Sequence, residues 1–205
     1  VTALWFGVFT AWALLRDDPW DAEVYYNLML VSPGSILVVA LSMGAVLGER
    51  DTRQLETTFV SPTGRFGAWL HRLAAVTLSA WLPAGILSVL SWLVIDPGHP
   101  PLLAWLHALV PLVFLLALTL LLSLAFRSSA AAGLGTGAFL VFFLVFGDAF
   151  RKWNFWFNPF GELSGVSDPQ MLFRLVVFNR CLYLGLAGLL FAVAFSLLQR
   201  RERLL

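Results

Sequence analysis

Six stretches of the 205-residue chain carry no Asp, Glu, Lys or Arg: residues 1–15, 24–48, 73–95, 97–126, 128–147 and 181–199. An α-helix rises about 1.5 Å per residue, so about 20 apolar residues cross a hydrocarbon core about 30 Å thick. Five of the six runs approach or exceed that length. None alternates in the short segments of a membrane β-barrel, so helices are predicted. The expected fold is an all-α membrane protein. It is read as a single domain over 1–205, with six spans at about 1–15, 33–48, 73–95, 102–125, 130–147 and 175–198.

Composition supports that reading. Charged residues make up 12% of the chain, hydrophobic ones 60%, and the mean hydropathy is +0.84. Soluble domains are typically about 25% charged, and one core of this length cannot hide so much apolar surface from water. A cytosolic enzyme, a disordered chain and a disulfide-stapled secreted domain are excluded. Cys181 is the single cysteine, so neither an intramolecular bridge nor a four-thiol metal site can form. A net charge of +1 carries no nucleic-acid signature. The first run begins at Val1 without the basic leader of a signal peptide. Its 15 residues cover only about 22 Å as a helix, so that helix is expected to start upstream.

Orientation follows from the loops. Arg50, Arg53, Arg65, Arg72, Arg127, Arg200, Arg201 and Arg203 fall on one side, and Arg16, Arg151, Lys152 and Arg174 on the other. The richer side is cytoplasmic, which places both termini there, in a multi-pass protein of a bacterial or archaeal inner membrane. Trp92 and Trp105 flank the outer turn at 96–101, as interfacial aromatics would.

Two loops are more than connections. Residues 49–63 are the most polar stretch, and Thr52, Leu55, Glu56 and Phe59 recur at helical spacing. Glu49 precedes Arg53 by four residues, the favourable order for a helical ion pair. Ser61-Pro62 then ends the helix and Thr63 can cap the next. A short cytoplasmic helix results, either lying on the headgroups or docking a partner by Leu55 and Phe59. Residues 148–174 are too charged to cross the membrane and too aromatic for a free loop. Short interfacial or re-entrant helices broken at Asn158-Pro159 account for both properties. They either anchor spans 5 and 6 or roof an outer cavity, with Trp153, Trp156, Asn158, Pro159, Phe160 and Arg180 as candidate outer-gate or substrate contacts.

The order of these features resembles the type-2 ABC-transporter permeases. Gly48-Glu49-Arg50-Asp51-Thr52-Arg53-Gln54-Leu55-Glu56-Thr57-Thr58-Phe59-Val60-Ser61-Pro62, after span 2, is similar to that family's coupling-helix signature. Asn158-Pro159-Phe160 resembles the Asn-Pro of its outer re-entrant helices. Arg53-Gln54 stands where Gly-Thr is common, and His71-Arg72 where a Lys is usual. The resemblance implies the transmembrane subunit of an ATP-driven exporter. Its coupling helix, at 49–60, would engage the ATPase through Glu49, Arg50, Arg53, Leu55, Glu56, Phe59 and Pro62. It also implies two ATPase subunits holding ATP and Mg, and a second permease, identical or related.

The chain cannot hydrolyse ATP through a Walker A loop, which needs a Lys after a glycine pattern. Lys152 is the only lysine, with no such pattern before it. No cofactor or catalytic residue is assigned to this chain. His71, His99 and His107 are scattered, so no metal site is expected. Spans 2–5 hold no carboxylate pair for an intramembrane hydrolase. A membrane scaffold or accessory subunit is the alternative. Arg180 either snorkels, pairs with an acid such as Glu162, or binds an anionic group. Gly44, Gly48, Gly133, Gly135 and Gly137 are read as packing faces, and Pro83 and Pro111 as kinks. Ser42, Thr77, Ser79, Ser88, Thr119 and Ser123 offer hydroxyls without charge, which suits an apolar or amphipathic cargo such as a lipid, glycolipid, peptide or drug.

Overall fold

The computed structural model describes residues 31–51, 64–95, 101–146, 157–160 and 169–199. Five helices run through them: α1 (Ser32–Asp51), α2 (Gly64–Ile95), α3 (Pro101–Phe126), α4 (Ser129–Phe146) and α5 (Pro169–Gln199). No strand occurs among the described residues. The span at 1–15 lies outside them, as does the stretch 52–63.

Three helices are long and apolar enough to cross a membrane, over Trp69–Leu90, Trp105–Phe126 and Phe173–Leu198. Shorter apolar sections occupy Ser32–Met43 of α1 and Ser129–Phe143 of α4. The described residues are all helical or in turns, and their apolar helices are consistent with a multi-pass membrane protein. Its helices open where proline punctuates the sequence. Pro101 and Pro169 are the first residues of α3 and α5, where a fixed φ favours the helix and no amide bond is lost.

Two helices outrun the spans expected from the apolar runs. α2 begins at Gly64 rather than near 73, and α5 at Pro169 rather than near 175. Absence of charge marks only the stretch that hydrocarbon can hold, whereas a helix continues into its polar turns. In the early part of α2, His71 and Arg72 find partners on their own helix. His71 Nδ1 lies 2.7 Å from the Gly67 carbonyl oxygen, and the Arg72 guanidinium sits 5.5 Å from the Trp69 ring centroid.

α3 is the central helix and packs against α1, α2, α4 and α5. In its apolar window 56% of positions are buried, against 22% in those of α2 and α5. Leu112, Leu115, Leu116 and Leu120 form the middle of the core. Val38 of α1, Ala80 and Ala84 of α2, Leu140 of α4 and Ala194 of α5 close around them. Leu82, Ile86 and Leu93 of α2 and Phe173, Leu184 and Leu189 of α5 point outward. Apolar residues on both the inner and outer faces are what a hydrocarbon solvent permits.

Polar and small residues set the helix contacts. α3 and α4 form a hairpin turned by Arg127 and Ser128. Arg127 adopts a left-handed φ of 53°, and the Ser128 hydroxyl accepts the Ala131 amide at 3.2 Å as a helix cap. Along the hairpin the Thr119 hydroxyl donates to the Leu115 carbonyl at 2.8 Å and is joined to the Thr136 hydroxyl at 3.1 Å. A Cβ on Gly133 would lie 3.0 Å from Met43 Sδ, and one on Gly34 3.1 Å from Leu112 Cδ2. Those two glycines bring α1 against α4 and α3, whereas Gly137 meets nothing within 4 Å.

Trp105, expected at the interface, makes a helix-to-helix contact. It stacks on Trp81 of α2 with ring centroids 4.1 Å apart, locking the two helices together. Pro83 and Pro111 sit inside the continuous helices α2 and α3.

Candidate functional site

Two groups of residues were singled out by the sequence. For the first, α1 continues as helix through Glu49 and Arg50 to Asp51. Arg53, Leu55, Glu56, Phe59 and Pro62 lie outside the described residues.

The second group is built around the segment 157–160. Asn-Pro cannot continue a helix, since proline offers no amide and restricts the residue before it. Asn158 compensates locally, its Oδ1 accepting the Phe160 amide at 3.0 Å. α5 brings a side-chain donor to each of three successive main-chain carbonyls. Tyr183 OH donates to the Phe157 carbonyl. Asn179 Nδ2 donates to the Asn158 carbonyl at 3.0 Å, and Arg180 Nη1 to the Pro159 carbonyl at 2.9 Å. Residues 179, 180 and 183 share one helical face, so the donors arrive together. Arg180 Nη1 also reaches Asn179 Oδ1, at 3.4 Å. Non-helical backbone at membrane depth is tolerated only where such partners exist.

Aromatic packing reinforces the attachment. Phe160 is 1% exposed, with its ring edge-on to Phe139 and Phe143 of α4, centroids 6.5 and 6.4 Å away. Phe139 meets Phe114 of α3 at 5.4 Å, and Phe114 meets the Tyr183 ring edge-on at 4.9 Å. Helices α3, α4 and α5 thus share one aromatic cluster with the segment.

Of the expected outer residues, Asn158, Pro159, Phe160 and Arg180 come together, and Trp153, Trp156 and Glu162 lie outside the described residues. Arg180 uses its guanidinium on a main-chain carbonyl, a role absent from the three expected for it. Sequence reasoning missed Asn179 and Tyr183. Their signal was an Asn and a Tyr beside an Arg at i, i+1 and i+4 within an otherwise apolar stretch.

Four of the six hydroxyls expected to be open to a cargo are instead buried inside the bundle. Thr77 donates to the Leu73 carbonyl at 2.8 Å and Ser123 to the Leu120 carbonyl at 2.8 Å. Ser42 donates to the Val39 carbonyl at 3.3 Å, and Ser42, Ser88, Thr119 and Ser123 are all buried. Ser79 alone of the six is exposed. No group of three His, Cys, Asp or Glu side chains gathers among the described residues.

The family model for ABC-2 family transporter proteins matches residues 22–161, more than half of the chain. The chain belongs to that family. The match takes in both the 49–62 stretch and the Asn158-Pro159-Phe160 segment. No curated protein and no solved structure matches the chain. ABC-2 permeases are the membrane transport subunits of ABC transporters and not their ATPases, so an ATPase partner is implied.

Proposed function

We propose that the chain is the transmembrane subunit of an ATP-driven exporter, a single permease domain over 1–205 with six spans and both termini in the cytoplasm. Family membership carries this reading. Two ATPase subunits, each holding ATP and Mg, engage two permease copies, identical or related, in the inner membrane of a bacterium or archaeon.

The coupling helix is 49–60. Leu55 and Phe59 seat it in a groove of the ATPase, and Glu49, Arg50, Arg53 and Glu56 flank that contact, with Pro62 ending the helix. The unbroken run of α1 to Asp51 supports this assignment, because a displacement of the docking helix then acts on a span directly. Closure of the ATPases around ATP would shift the bundle between states through α1 and α2.

The cargo is apolar or amphipathic: a lipid, glycolipid, peptide or drug. Supporting this, Arg174, at the outset of the α5 window, and Arg180 are the only ionic groups within the apolar windows of α3 and α5, and Arg180 is engaged with the Pro159 carbonyl. The outer contacts are Asn158, Pro159, Phe160 and Arg180, with Trp153 and Trp156 beside them in sequence. Co-purification with an ABC ATPase, with and without charges at Leu55 and Phe59, tests the proposal.

A further inference from the structure

The side chains of Asn179, Arg180 and Tyr183 do more than pack against the bundle. Each ends on a main-chain carbonyl of the 157–159 run, one donor per carbonyl. Proline at 159 interrupts the helix, and the Asn158 side chain accepts the Phe160 amide in an Asx turn. In an apolar surrounding main-chain carbonyls need partners, and α5 brings one donor to each of these three.

The attachment is also one-sided. Among the described residues, Phe160 meets α4 through ring contacts, which tolerate small slides. The α5 bonds are directional and short, so a rotation of α5 about its axis withdraws three donors at once. We infer that Asn179, Arg180 and Tyr183 are positioning residues forming a clasp, and that its release frees the 157–160 segment during the transport cycle. The clasp itself is a property of this chain; its place in a cycle rests on the transporter reading above.

Hydrogen exchange on the full chain in lipid nanodiscs tests it, read at the Phe160 amide and in α3. Tyr183→Phe keeps the ring against Phe114 and removes one donor, and should speed exchange at Phe160 roughly three- to tenfold. Arg180→Met should act alike, Arg180→Lys should restore most of the protection, and Tyr183→Phe with Arg180→Met should exceed about tenfold. Exchange in α3 should not change. An unaltered Phe160 amide in the double variant, or equal acceleration in α3, overturns the clasp. In an assembly with an ATPase, a non-hydrolysable ATP analogue should raise exchange at Phe160 of the parent chain. Equal protection with and without the analogue overturns the role in the cycle. Failure to capture any ATPase overturns the proposed function, while the nanodisc exchange still decides the clasp.

Discussion

Trp81 and Trp105 hold each other reciprocally. Their rings stack at 4.1 Å and 14°, the Trp81 indole donates to the Trp105 carbonyl at 3.0 Å, and the Trp105 indole donates to the Trp81 carbonyl at 2.7 Å. Each large ring thereby crosses from α2 to α3 with its one polar atom satisfied. The arrangement requires a missing side chain, because a Cβ on Gly85 would lie 2.5 Å from Trp105 Cε2.

Gly85→Ala should therefore force Trp105 off its partner and destabilise the protein by about 1–3 kcal/mol, the usual range for overpacking. Thermal unfolding in detergent measures this. Combining Gly85→Ala with Trp105→Leu should cost less than the two separate losses, since the smaller side chain vacates the space.

The Thr119–Thr136 contact predicts a smaller effect. Both residues are buried and 3.1 Å apart, and interhelical hydrogen bonds in membranes average about 0.6 kcal/mol. A double-mutant cycle with Thr119→Val and Thr136→Val should return a coupling of that size. Thr136→Val is the cleaner single change, as Thr119 also bonds to its own helix.

Ser35 is fully buried and its hydroxyl meets no partner among the described residues. Ser35→Ala removes a desolvated polar group without opening much space, so stability should hold or rise by about 1 kcal/mol. A clear loss in the melting temperature would contradict the placement of α1.

Arg127 turns the α3–α4 hairpin at a φ of 53°. A left-handed conformation costs a side-chain-bearing residue about 1 kcal/mol, and glycine avoids it. Arg127→Gly should stabilise the hairpin by about that amount, and Arg127→Val should destabilise it, both read by thermal unfolding.

Much of this fold was legible because lipid imposes a coarse code. Charge-free runs located α1, α3 and α4 to within a few residues, since hydrocarbon tolerates little else. The same code hid the first turns of α2 and α5, where Arg72 and Arg174 sit in helix beyond the apolar stretch. It gave no sign of the Trp81–Trp105 stack, because an aromatic near a span end satisfies the interfacial pattern whether or not it also meets a neighbouring helix. At the candidate site, Asn158-Pro159-Phe160 and Arg180 stood out by type. Asn179 and Tyr183 did not, because what makes them matter is a set of carbonyls about twenty residues away in sequence.

The central claim is that this ABC-2 family chain is driven by a separate ATPase through residues 49–60. Co-expression with an ABC ATPase, followed by purification and an ATPase assay, tests it most directly when the parent is compared with Leu55→Glu/Phe59→Glu. The account predicts that the parent retains the ATPase and its activity, and that the double variant, still folded and inserted, loses both. Equal capture and equal ATPase activity in the two proteins would contradict it.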